Sequence, residues 1–225
     1  MSASTASQRP REPYADRHAA GDALAAALTD YAGRDDVVVL GLPRGGVPVA
    51  ARVATALRAP LDVLVVRKIA APVQRELAMG AVAVVGDAVE VVTDGRVVDR
   101  VRPTDEQFAQ ARDDALTELR RRAQVLASRR PVGVAGRTVL VVDDGIATGS
   151  TLRAAIACLR NQQPSRVVVA APIASPRVYA DLCAEVDDVV CPWLPDRFVA
   201  VGQGYVDFTQ TTDDQVLRLL SRGRP

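Results

Sequence analysis

Four consecutive apolar residues, Val139, Leu140, Val141 and Val142, run into two carboxylates, Asp143 and Asp144, and then into the small, hydroxyl-bearing stretch Gly145, Ile146, Ala147, Thr148, Gly149, Ser150 and Thr151. An unbroken apolar run of this kind reads as a strand buried on both faces, which requires a sheet covered by helices on both sides. Helical spacing follows at once, from Leu152 to Leu159. Two acids and a set of free backbone N–H groups therefore stand at the carboxyl edge of a sheet, where open α/β folds bind ligands. The helix N-terminus suits a phosphate, because its N–H groups are unpaired and its dipole end is positive. Thr148, Ser150 and Thr151 add hydroxyl donors, and Gly149 lets the backbone approach an anion closely. Paired carboxylates beside such a cradle accept hydrogen bonds from a diol, so the ligand that fits is a sugar phosphate. A turn that only capped a helix would need one hydroxyl and no acid pair. The segment lacks the Lys of a P-loop, and Gly145 to Gly149 lacks the spacing of a dinucleotide fingerprint.

The rest of the chain alternates in the same manner. Helical spacing predicts helices over 16–31, 47–57, 104–128 and 176–184, and apolar runs predict strands over 36–40, 61–66, 166–171 and 188–191. Residues 82–85 and 89–92 flank Gly86-Asp87 as a hairpin would. The pattern predicts an α/β fold with a mostly parallel sheet and helices on both faces. Residues 1–13, rich in Ser, Pro and Arg, read as a disordered tail ahead of a single domain spanning 14–225. Lys plus Arg number 28 against 27 Asp plus Glu, so no bulk charge draws in nucleic acid or an anionic membrane. No apolar run approaches the ~18 residues of a membrane span, and the three cysteines lack metal-ligand spacing. The expectation is a cytoplasmic protein that engages neither membrane nor nucleic acid. His18 reads as a surface or packing residue, and Arg120-Arg121-Arg122 as a solvated helix face.

A second loop joins a strand to a helix at Gly41-Leu42-Pro43-Arg44-Gly45-Gly46. Its glycines permit unusual backbone angles, and Arg44 supplies a planar cation suited to oxyanions. Arg67 and Lys68 end the next predicted strand on the same edge, either as a solvated charged pair or as a complement to a diphosphate. A long connection over 69–80 follows.

The 139–151 stretch resembles the signature of the type I phosphoribosyltransferases, which bind 5-phosphoribosyl 1-diphosphate (PRPP), and the resemblance extends over about residues 16–215. It implies that Asp143 and Asp144 contact the ribose hydroxyls and that Ala147, Thr148, Gly149, Ser150 and Thr151 wrap the 5′-phosphate. It implies that Arg44, Gly45 and Gly46 form the pyrophosphate loop, often with a non-proline cis peptide, and that Arg67 and Lys68 complement the diphosphate. Asp143, Asp144, Arg44 and Lys68 are then the catalytic set, with Mg²⁺ held near Asp143 and Asp144 mostly through PRPP and water. Connection 69–80 becomes a loop that closes over the reacting centre, with Gln74, Arg75 and Glu76 at its tip.

Residues 193–202 resemble the segment that builds the base pocket, within a hood of about 192–215 joined by part of the N-terminal helix. Phe198 is the natural stacking ring, Trp193 the second candidate, and Val199 lies beside them; the same aromatics would equally serve as packing. The implied activity is Mg²⁺-dependent transfer of the 5-phosphoribosyl group to a nitrogen acceptor, a nucleobase in a salvage-type reaction, by a homodimer. Ala147 stands where several purine-specific relatives carry an Asp that handles the base proton. That leaves Glu76 or Asp207 as the general base, or else a protein that senses PRPP or a nucleotide without turnover.

Overall fold

A computed structural model describes residues 12–72, 74, 77–85, 88–126 and 132–222. In chain order these form α1 (Arg17–Ala26), β1 (Val37–Gly41), α2 (Gly46–Leu57), β2 (Leu61–Val63), β3 (Val65–Ala70), β4 (Ala78–Val85), β5 (Ala88–Thr93), α3 (Gly95–Val101), α4 (Asp105–Leu126), β6 (Thr138–Val142), α5 (Ser150–Arg160), β7 (Arg166–Ala170), α6 (Pro176–Cys183), β8 (Asp188–Val190) and α7 (Asp213–Arg222). Five strands make a wholly parallel sheet in the order β2-β1-β6-β7-β8. Counted along the chain this is 2-1-3-4-5, a doubly wound sheet whose direction of growth reverses between β1 and β6. Those two strands pair in register from Val37–Thr138 to Gly41–Val142, so their carboxyl ends are level and the loops leaving them lie side by side.

Both central strands are buried along their whole length. Alternate side chains feed two cores, as a period of two demands. Val37, Val39, Leu140 and Val142 pack with Leu24 of α1, Val53 of α2 and Val216 of α7. Val38, Leu40, Val139 and Val141 pack with Leu152, Ile156 and Leu159 of α5 and Leu182 of α6. The expected α/β architecture with helices on both faces is present.

The strand expected over 61–66 is not one element. Leu64 donates its N–H to Gly41 O at 3.1 Å, and at Val65 the chain leaves the parallel sheet for a second, antiparallel sheet ordered β3-β4-β5. An unbroken apolar run carries no mark of where one sheet ends and another starts. Arg67 and Lys68 consequently do not close a parallel strand; they lie inside β3, opposite Val82 and Ala81 of β4. A bulge leaves Met79 as an extra residue, since Ile69 pairs with Gly80 and Ala70 with Ala78. Ala81, Ala83 and Val85 then share a core with α5, while Met79 and Val82 share the other with Leu119 of α4.

The first helix is shorter than expected: Asp16 caps it by accepting from Ala19 N at 2.8 Å, and a 3₁₀ turn at Thr29–Tyr31 follows. The long helix starts with a reciprocal cap, Gln107 N to Thr104 Oγ1 at 3.2 Å and Thr104 N to Gln107 Oε1 at 3.0 Å. Its expected end at 127–128 lies outside the described residues, as do the hairpin turn Gly86-Asp87 and most of the N-terminal tail. Helices α3 and α7 have no counterpart in the sequence reading. Each is short, and its start is set by a cap: Asp94 on Arg96 and Val97, and a second reciprocal pair between Thr212 and Gln215. Among the described residues no helix is long and apolar enough to cross a membrane.

Candidate active site

The two loops at the switch point touch each other through glycine. A Cβ placed on Gly45 would stand 2.0 Å from Asp144 Oδ2, and one on Gly46 would stand 2.6 Å from Val142 O and 2.9 Å from Asp143 Cα. No larger residue allows the backbone of loop 42–46 to lie against the acid pair. The Pro43–Arg44 peptide is cis, within the loop where the resemblance implied such a bond. Arg44 turns its side chain away from the acids: its Nη1 is 3.5 Å from Asp213 Oδ1 on α7.

The two aspartates occupy different environments. Arg17 in α1 places Nε and Nη2 each 2.8 Å from Asp144 Oδ2, and Tyr205 donates its hydroxyl to the Asp144 carbonyl. Arg17 also donates to Thr209 O at 2.7 Å and lies over the Phe208 ring, 4.1 Å from its centroid. Asp143 forms no ion pair among the described residues; its Oδ1 accepts the Asp144 N–H at 2.9 Å. Burial of the Asp143 carboxyl, then the charge of Asp144, push its pKa well above the ordinary carboxylate range. Arg17 was not legible as a site residue, and Tyr205 read only as part of the hood segment, not as a partner of Asp144. Each reaches Asp144 only through the fold.

The loop expected to hold a phosphate turns on a left-handed Gly149 (φ +68°) immediately before α5. Thr148 Oγ1 and Ser150 Oγ lie 3.1 Å apart at the exposed start of the helix. Lys68 reaches them from the other sheet, donating from Nζ to Ser150 Oγ at 2.6 Å. Arg67, its neighbour on β3, points to the opposite face and lies 3.7 Å from Glu118 of α4. The antiparallel strand thus sends one cation to the phosphate loop and the other to the long helix. Ala147 is half-buried, and Thr151 lines an open cavity of about 410 Å³ that also meets Pro43 and Lys68.

Over this edge two segments far apart in the chain meet. Tyr14 N donates to Gly204 O and Val206 N to Tyr14 O, both at 2.8 Å, which stitches the start of the chain to the segment after β8. Trp193 packs edge-on against Tyr14, with ring centroids 5.8 Å apart, and joins Phe198 and Val201 around buried Ile173 and Tyr205. Val199 is 88% exposed. Asp207 is an exposed carboxylate whose pKa is lowered by hydrogen bonds from the Thr209 hydroxyl and backbone N–H. His18 is exposed on α1. Gln74 is described and exposed, whereas Arg75 and Glu76 lie outside the described residues. The three cysteines are unbridged, and burial pushes the Cys158 thiol up to about 12.

The model of the phosphoribosyl transferase domain family matches residues 13–207. The chain belongs to that family. The matched range takes in both glycine loops, the acid pair and Tyr205. Relatives from two strains of Mycobacterium tuberculosis, each named "Putative phosphoribosyl transferase", are 47% identical over 215 residues, covering 93% of this chain and 46% of theirs. This phosphoribosyl transferase domain therefore spans about half the length of the curated relatives it matches. The crystal structure of TT1426 from Thermus thermophilus superposes with a TM-score of 0.75 at 38% identity, covering 95% of this chain and 100% of that one.

Proposed function

We propose that this domain transfers the 5-phosphoribosyl group of PRPP to a nitrogen acceptor, a nucleobase in a salvage-type reaction, and releases diphosphate. The observation that carries the reading is the contact of the two switch-point loops, with the acid pair lodged against Gly45 and Gly46 and the phosphate loop following it. PRPP would engage the three features in one piece, with its 5′-phosphate on the N–H groups and hydroxyls of 147–151, its ribose hydroxyls on Asp143 and Asp144, and its diphosphate over Gly45, Gly46 and Lys68.

The residues fit Mg²⁺. It is a hard cation that takes one or two carboxylates together with substrate phosphates and water. The acid pair offers such oxygens, and among the described residues no cluster of three or more acids, His or Cys forms an all-protein cage. When bound, Mg²⁺ would neutralise charge on the departing diphosphate. The chain's own groups do the rest. Asp143 forms no ion pair among the described residues and accepts one backbone hydrogen bond, from the Asp144 N–H, so its carboxylate would be left to accept from ribose hydroxyls. Arg17 holds Asp144 in place, and positioning of the sugar C1′ between diphosphate and acceptor supplies much of the rate. Gln74 and its neighbours would exclude water, which otherwise captures the cation-like sugar.

The acceptor would bind beneath residues 193–208, with Phe198 or Trp193 as the stacking ring and backbone near Val199 reading the base edge. Ala147 leaves no carboxylate in the phosphate loop to move a base proton, which is the observation favouring a second reading: a sensor that holds PRPP or a nucleotide without turnover. Incubation with PRPP, Mg²⁺ and a panel of nucleobases, followed by diphosphate release, tests the first reading. Turnover on one base establishes it, tight PRPP binding without turnover on any base selects the sensor, and absence of PRPP binding sinks both.

A further inference from the structure

Among the three consecutive arginines of α4, one is partly enclosed. Successive helical residues are turned by about 100°, so a run of three cannot share one direction. The Arg121 side chain is 65% exposed, whereas that of Arg122 is 35% exposed and turns toward the phosphate side of the molecule. Arg122 lines the cavity of about 410 Å³ together with Pro43, Arg67, Lys68 and Thr151. It also borders a smaller space of about 140 Å³ beside Arg44 and Asp213. It therefore stands between the loop that carries the cis peptide and the strand that carries Lys68.

The charges around the larger cavity do not balance. Arg67, Lys68 and Arg122 line it, and none of its lining residues is acidic. The nearest compensation is Glu118, one turn back on α4, which lies 3.2 Å from Arg122 Nε and 3.7 Å from Arg67 Nη2 while also pairing with Arg121 at 2.8 Å. One carboxylate is thus divided among three guanidinium groups. Its bond to Nε fixes the plane of the Arg122 guanidinium, and the terminal nitrogens make no hydrogen bond to any described residue. A fixed plane with free paired N–H groups is the arrangement that binds a phosphate through two parallel hydrogen bonds.

We propose that Arg122 is a further ligand of the diphosphate leaving group, delivered by α4, and that Glu118 is the residue that positions it. The inference rests on the reading of this domain as a PRPP-binding transferase. It assigns a function to the long helix beyond packing against the antiparallel sheet and α7.

The test is calorimetric titration of the folded protein with Mg²⁺ and, separately, inorganic diphosphate, PRPP and ribose 5-phosphate. Arg122→Gln should weaken diphosphate and PRPP by roughly tenfold or more, as loss of a charge-assisted pair does, and leave ribose 5-phosphate within about twofold. Arg122→Lys should recover part of the loss. Arg121→Gln, which removes a partner of the same Glu118, should leave all three titrations as in the wild type. Unchanged diphosphate binding by Arg122→Gln, or an equal loss for ribose 5-phosphate, overturns the proposal while leaving the PRPP reading intact. Failure of the wild-type protein to bind either PRPP or ribose 5-phosphate removes both. Matching thermal melts of the variants confirm that the comparison is between folded proteins.

Discussion

Arg17 reaches across the carboxyl edge of the sheet to Asp144, with Nε and Nη2 both 2.8 Å from the same carboxylate oxygen. The pair is mostly enclosed, with side-chain exposures of 11% and 14%. Phe208 covers the guanidinium, so water competes poorly for it. Removing Arg17 leaves two adjacent carboxylates without an ion-pair partner among the described residues. Arg17→Met, which keeps most of the apolar stem, should weaken PRPP binding by about 10–100-fold, the effect of losing a hydrogen-bonded charge partner, and lower the melting temperature. Arg17→Lys should retain part of the affinity. PRPP titrations and thermal melts of both variants check this.

Gly45→Ala places a methyl group where Asp144 Oδ2 now stands, at 2.0 Å. Either the carboxylate leaves Arg17 or the loop moves. Overpacking of this kind costs about 1–3 kcal/mol in stability, and PRPP binding should be lost with it. Gly95→Ala is the matching control, since nothing lies within 4 Å of a Cβ at that position. Its PRPP affinity should equal that of the wild type.

Asp143 gives a pH signature. Its folded pKa is raised, so the folded state holds the proton more tightly than the unfolded chain, for which the usual value is 3.8. The stability this confers is fully present below the unfolded pKa and is lost as pH rises through the folded one. Asp143→Asn has no such loss, and Asn Oδ1 can still accept the Asp144 N–H. The melting temperature of the variant minus that of the wild type should therefore grow from about pH 4 upward, while transferase activity falls. A difference independent of pH would contradict this.

Lys68 separates binding from folding. Its contact with Ser150 is exposed, and exposed polar pairs contribute within about 0.5 kcal/mol. Lys68→Ala should melt near the wild-type temperature yet bind PRPP more weakly, because Lys68 is the cation that donates to a hydroxyl of this loop, whereas Arg153 donates to the Thr148 carbonyl. Ser150→Ala should have a smaller effect, since Thr148 and the backbone N–H groups remain. Titration of each variant with PRPP and with inorganic phosphate decides it.

The stretch from Val139 to Thr151 was legible because strand, acids, loop and helix start are contiguous, and contiguous residues can be placed from local periodicity alone. Loop 41–46 was legible for the same reason. The break at Leu64 was not, since Leu61 to Val66 is apolar on both sides of it. Arg67 and Lys68 read as one adjacent pair on one edge, yet an antiparallel ladder sends them to opposite faces, one to Glu118 and one to Ser150. Arg122 read as part of a solvated run because helical rotation only acquires meaning once a neighbouring element is in place.

By itself, the sequence determined an α/β fold with a mostly parallel sheet and helices on both faces, and the places of two of its loops, because buried strands, turn glycines and helix starts are governed by short-range sterics and hydrogen bonding. The tertiary structure decided which charges meet. Arg17 and Asp144 are 127 positions apart, and Lys68 and Ser150 are 82 apart. Electrostatic interaction depends on distance through space and on exclusion of water, and neither quantity exists until helices and sheets have packed.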